Sequence, residues 1–318
     1  MCGRAFSAGV LSVSILLLSV SGVTVQAQVP WPGPGETLYI TENTDVLFSE
    51  AATLTGTVVT TGSSVVLNIT NNTSLDFLDF HLVTTEGATT NLNNALGSMD
   101  GTCILETTQG GCLNVFAGGT WGGALNLTNN AATTNILNEG FLSSVSTMVN
   151  TGAGNLSIQN NGLMQVPDFR LTTEGAHTVF GNYGRIGGES SWMILDRNDD
   201  THLLNSGDLQ LDHLSLMAEG DLGYLAFLNG GYMELGELVL HAYDGGSLDI
   251  NNLLGTIRAG TTDIATLGLG PKSGELGTIA FQGNEIEPLQ PIPAPPAIGL
   301  VVVGLAPVLL RARRGVKR

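Results

Sequence analysis

Asn138-Glu139-Gly140, Asn160-Asn161-Gly162, Asn182-Tyr183-Gly184, Asn205-Ser206-Gly207 and Asn229-Gly230-Gly231 decide the fold. The asparagines follow one another at steps of 22, 22, 23 and 24 residues, and one more step of 23 reaches Asn252. Run backwards, the same register falls on Ala117, then Asn94 and Asn72. Forwards, Leu254-Gly255-Thr256-Ile257 returns as Leu276-Gly277-Thr278-Ile279. A period held over about 200 residues marks a repeat architecture.

A second signal recurs between the asparagines. Phe80-His81-Leu82-Val83-Thr84-Thr85-Glu86-Gly87 is echoed by Phe169-Arg170-Leu171-Thr172-Thr173-Glu174-Gly175. Leu214 to Gly220 and Leu238 to Gly245 fit the same frame. Each is a short alternating run stopped by Gly, the mark of a half-buried strand and a turn. The expected fold is therefore all-β, a right-handed parallel β-solenoid (β-helix) with coils of about 22–24 residues. One coil cannot bury its own apolar face, so coils stack at roughly 4.8 Å. Asn at a repeated corner then meets Asn above and below, as in amide ladders. The structural ladder reads Asn72, Asn94, Asn138, Asn160, Asn182, Asn205, Asn229 and Asn252. Gly two residues on is expected to supply a positive φ. A β-sandwich with Asn-Gly hairpins is the alternative, but it needs no constant period. Leucine-rich repeats share the period, but their Leu-x-Leu-x-x-Asn spacing does not recur with it here.

Composition agrees: 43 Gly, 12% charged and 42% hydrophobic residues are too apolar for disorder and too Gly-rich for a helical protein. Residues 1–27 read as a signal peptide, with Arg4 at the start, an apolar centre from Val10 to Val20 and cleavage after Ala27. Residues 28–36 carry Pro30, Pro32 and Pro34 and read as a Pro-rich linker. Residues 37–71 read as N-terminal cap and first coils, and 72–287 as the β-helix repeats.

Residues 288–318 form a separate tail. Pro291, Pro293 and Pro295 lie in Pro291-Ile292-Pro293-Ala294-Pro295-Pro296, which precedes an apolar span from Ala297 to Leu310. Arg311, Arg313 and Arg314 open the basic cluster that ends at Arg318. This order resembles the PEP-CTERM class of bacterial sorting tails, with Ile-Pro-Ala-Pro where that family has Val-Pro-Glu-Pro. The resemblance implies an exosortase-type sorting enzyme as partner, transient membrane anchoring, and release or attachment at the cell surface. A plain tail anchor is the other reading, its Arg cluster held inside.

Charge narrows the partners. Arg4, Arg311, Arg313, Arg314, Lys317 and Arg318 all lie in segments expected to be removed, leaving five basic residues against 28 acidic ones, a net −23. That excludes nucleic acid. It disfavours acidic polysaccharides, since Arg170, Arg185, Arg197, Arg258 and Lys272 alone remain to hold carboxylates.

Cys103 and Cys112, in an exported chain, read as a disulfide pinning one corner. No Gly-x-Ser-x-Gly, Walker or His-Glu-x-x-His pattern occurs. The histidines His81, His177, His202, His213 and His241 show no ligand spacing. Asp196-x-Asn198-x-Asp200 starts like an EF-hand loop, but Thr201 and Gly207 stand where Gly and Glu are needed, leaving only a looser corner calcium site open. Seven or eight residues beyond successive ladder asparagines lie Asp168, Glu189, Asp212 and Glu237. Stacked, they form a carboxylate column: a solvated face, a calcium site (the one candidate cofactor), or an acid–base set.

The repeat resembles the β-helices of secreted adhesins and autotransporter passenger domains. That resemblance implies a non-enzymatic exported structural or adhesin protein of the cell surface or extracellular matrix, with extracellular polysaccharide or surface components as partners. Two alternatives stand beside it. One is a carbohydrate-active β-helix enzyme, although the Gly-His-Gly and Arg-Ile-Lys motifs of polygalacturonases are missing. The other is a glycan-binding module using Tyr183, Tyr232 and Trp192.

Overall fold

The structure, a computed structural model, describes residues 30–197, 199–267 and 277–289. It is a parallel β-solenoid of about 10 turns, with no helix among the described residues. The strands fall into two sheets, one of 14 strands and one of 11, each built by coil-to-coil parallel pairing. A typical coil places an 11-residue strand such as Ser74–Thr84 or Phe141–Thr151 in the first sheet. It then places a 6-residue strand such as Thr133–Asn138 in the second. At parallel-strand spacing the stack is about 45–50 Å long.

Alternation explains the packing. Short strands repeat the pattern iBiBiB, half-buried then buried, because successive side chains point to opposite faces. Inward positions stack into continuous columns. One runs Leu75, Met99, Trp121, Leu142, Met164, Ile186, Leu209, Met233 and Ile257. Phe80, Phe169, Leu214 and Leu238, the residues that open the second repeated signal, share another column in register. The N-terminal end is closed by Trp31, whose ring lies 5.3 Å from Phe48 and 6.1 Å from Phe80. Part of the Pro-rich stretch is therefore cap rather than spacer.

The asparagine column is buried and bonded. Asn138, Asn160, Asn182, Asn205 and Asn229 each donate from Nδ2 to Oδ1 of the next rung at 2.7–2.8 Å, ending on Asn252. The same amides also donate to the carbonyl that opens the following long strand, as Asn182 does to Asp208. The first rung is Asn71, not Asn72: Asn71 donates to Asn94 at 2.9 Å. Asn72 is one residue past the inward position and exposed. The echo at Leu276 is not a coil repeat either. Thr256 pairs with Tyr232 in the long-strand sheet, whereas Thr278 stacks over Ser247 in the other, 31 residues away. An insertion lengthens that last coil.

The corner glycines have a different cause from the one expected. Gly140, Gly162, Gly184 and Gly207 are not among the glycines at positive φ. A Cβ on each would lie 2.0–2.2 Å from the carbonyl oxygen of the glycine one coil below. Only hydrogen lets the backbones approach this closely. Positive φ belongs to the opposite corner, at Glu86, Gln109, Ala131 and Gly175.

Candidate functional site

The four expected metal carboxylates do not converge. Register sets Asp168, Ser191, His213, Glu237 and Thr261 in one column. Asp168 is tied to Arg170 at 3.2 Å. Glu189 is exposed in the connection between strands Arg185–Ile186 and Ser191–Arg197, ahead of Ser191. Asp212 is the residue skipped in the pairing between Leu211 and His213. The coils differ in length where their long strands break, so counting from the ladder slips by one or two residues. No group of three metal-ligating side chains occurs among the described residues.

The Cys103–Cys112 bond is also absent. Cys103 is free and fully buried, stacked between Phe80 and Leu125 in the long-strand sheet. Burial alone pushes its thiol far above the ordinary range. Cys112 opens the strand Cys112–Ala117 of the other sheet, and its own bonding does not involve Cys103.

What sequence reasoning missed is the histidine pairing. Every one of the five histidines stands beside a carboxylate. His81 meets Glu106 at 3.2 Å, His213 meets Glu237 at 2.9 Å and His241 meets Asp263 at 3.1 Å. In each case the partner lies one coil on, at separations of 25, 24 and 22. The signal was present: an acid one period after a histidine.

The densest such group lies on the outer face of the short-strand sheet. Asp200 takes His177 Nδ1 at 3.4 Å and His202 Nε2 at 2.8 Å. The His202 ring lies 6.1 Å from that of Tyr224, whose hydroxyl donates to Asp249 at 3.5 Å. Burial, then the Asp249 charge, raises the Tyr224 pKa. These residues come from four successive strands, His177–Asn182, Asp200–Asn205, Tyr224–Asn229 and Ser247–Asn252. Register brings them together at positions one and three of each. The group offers donors, acceptors and ring faces on a flat sheet. It holds no nucleophile–base pair with a third orienting group.

Of the named aromatics, Tyr183 is 51% exposed, but Trp192 is 1% exposed and donates to the Val166 carbonyl. Trp192 is core, not a glycan platform. Tyr232 is half-buried beneath the Arg258 guanidinium. Three arginines are already paired internally: Arg170 with Asp168, Arg197 with Glu219 and Arg258 with Glu287. A cavity of about 20 Å³ among Phe180, Trp192, Leu203, Leu214 and Phe227 is apolar and lies within the core.

No protein-family model, curated protein or solved structure matches this chain.

Proposed function

We propose that the protein is a non-enzymatic, exported structural protein of a bacterial cell surface or extracellular matrix, acting as a stiff spacer or adhesin. The observation that carries this reading is the uninterrupted stack. The core column from Leu75 to Ile257 and the amide ladder from Asn138 to Asn252 run coil to coil, which suits a rod. The two terminal segments supply the address: the signal-like start and the Pro motif, apolar span and Arg cluster, all outside the described residues. In this reading an exosortase-type enzyme processes the tail, and the partners are extracellular polysaccharide or surface components. A net charge of −17 over the whole chain speaks against nucleic acid.

Mass spectrometry of the protein from its native host tests the reading. A mature start near Gln28 and loss of the segment after the Pro motif are expected. A surface-exposed product that still ends at Arg318 rejects the sorting step. Cleavage of polysaccharides by the purified protein rejects the non-enzymatic assignment.

A second reading has one observation behind it. The exposed His177, His202 and Tyr224 side chains lie on one sheet face with exposed Tyr183 at the corner just past it, as a neutral glycan-binding strip requires. Binding to neutral oligosaccharides that is lost in Tyr224→Ala favours it.

A further inference from the structure

A polar seam runs inside one corner of the solenoid, where the long strand ends and the short strand begins. Its long-strand side reads Thr60, Thr84, Thr107, Asn129, Asn150, Thr173, Asp196 and Ala218 in register. Its members bond across the corner: Thr84 to Thr90, Thr134 to Thr107, Asn150 to Thr178, and Thr173 with Thr201. Neutral hydroxyls and amides satisfy the seam from Thr60 to Thr173, and Asp196 is its one charged member. Asp196 is fully buried and Asp199, three residues on, is 5% exposed. Asp196 Oδ1 accepts from the Asp199 amide at 3.3 Å and Oδ2 from the Thr173 hydroxyl at 3.5 Å. Asp199 Oδ1 accepts from the Asp200 amide at 2.6 Å. Asp199 Oδ2 is buried with no partner at hydrogen-bond geometry, although the Thr173 hydroxyl and the Ala176 amide face this carboxylate.

Among the described residues no fixed cation answers these two acids. Arg197 is turned to Glu219, and the His177 imidazole that faces Asp199 is paired with Asp200. Two neighbouring carboxylates out of water repel each other and lose hydration. Burial is the largest cause raising both acids, Asp196 to about 6. A proton on Asp196 relieves the repulsion but leaves Asp199 Oδ2 unanswered. We propose that this corner binds one calcium ion between the Asp196 and Asp199 carboxylates, with the Thr173 and Thr201 hydroxyls as neutral oxygen ligands and water completing the shell. Calcium fits better than magnesium because it accepts six to eight oxygens in irregular geometry. Asp200, the last acid of the Asp196-x-Asn198-x-Asp200 spacing, faces the histidines and takes no part.

The test is calorimetric titration of the chelator-stripped, full-length protein with calcium chloride, paired with thermal melts in calcium and in chelator. One stoichiometric binding event is expected, with a melting temperature raised by about 4 °C or more at a hundredfold excess over Kd. Asp199→Asn, close in shape, should lose both the event and the shift, and Asp196→Asn should do the same from the other side. Asp168→Asn, which removes a surface charge far from the seam, should keep both. Equal shifts in the parent and the two seam variants would assign calcium to the acidic surface at large and overturn the site. So would a parent that responds to acid and not to calcium, since the acids then share a proton only.

Discussion

Asn138 Oδ1 has no hydrogen-bond donor because the residue one coil below it is Ala117. Every other step of the ladder from Asn138 to Asn252 is amide to amide. At the gap, Asn94 Nδ2 falls back on the Thr120 carbonyl alone. A buried acceptor without a donor costs about 1–3 kcal/mol.

Ala117→Asn should therefore stabilise the protein. The new Nδ2 reaches Asn138 Oδ1, and the new Oδ1 accepts from Asn94, since both neighbours hold the same register. A gain of about 1–2 kcal/mol in chemical denaturation is expected. The converse change, Asn182→Ala, removes the bonds to Asn205 and Asp208 and strands Asn205 Oδ1. It should cost about 1–3 kcal/mol. A stability change of the same sign in both variants would show that the ladder is not what the two substitutions alter.

Two kinds of glycine are separable by one methyl group. At Gly184 a Cβ would lie 2.2 Å from the Gly162 carbonyl oxygen, so the backbone itself has to move. Gly184→Ala should cost about 3 kcal/mol or more, as overpacking against rigid backbone does. At Gly175, with φ +59, a Cβ meets nothing within 4 Å. Gly175→Ala then carries only the left-handed penalty of about 1–2 kcal/mol. The two variants, unfolded side by side in denaturant, should rank in that order.

These contrasts show which features are legible in a linear sequence. The fold was legible because a solenoid writes its register as a period: Asn138 to Asn252 and the Phe80 and Phe169 frames fall in columns. Glycine alone does not say whether it permits a φ or a close contact, so the reason for Gly184 needed the coil below. Insertions shift a count without breaking the pattern. Asn71 displaces Asn72 for that reason, and Asp212 drops out of the column that His213 joins. Cys103 looked like a partner for Cys112 by proximity in sequence, yet the strand alternation turns it inward between Phe80 and Leu125. The buried Asp196 was hidden among threonines and asparagines that serve the same corner position in other coils.

Asp196 should make the rod more stable in mild acid than at neutrality, in the absence of divalent cations. Burial, partly offset by the Thr201 hydroxyl, raises it from 3.8 to about 6. An acid whose folded value exceeds its unfolded value favours the folded state fully below the unfolded value. That contribution is lost as the pH rises through the folded one. The loss between pH 4 and 7 is on the order of 2 kcal/mol for a shift of this size. Asp196→Asn supplies a neutral group of the same shape and also removes the charge that Asp199 faces. The informative quantity is the difference between variant and parent in chelator, because the remaining acids are common to both. It should be small at pH 4 and grow by roughly 2 kcal/mol in favour of the variant by pH 7. A difference that stays flat over this range would mean that Asp196 titrates as an ordinary surface acid.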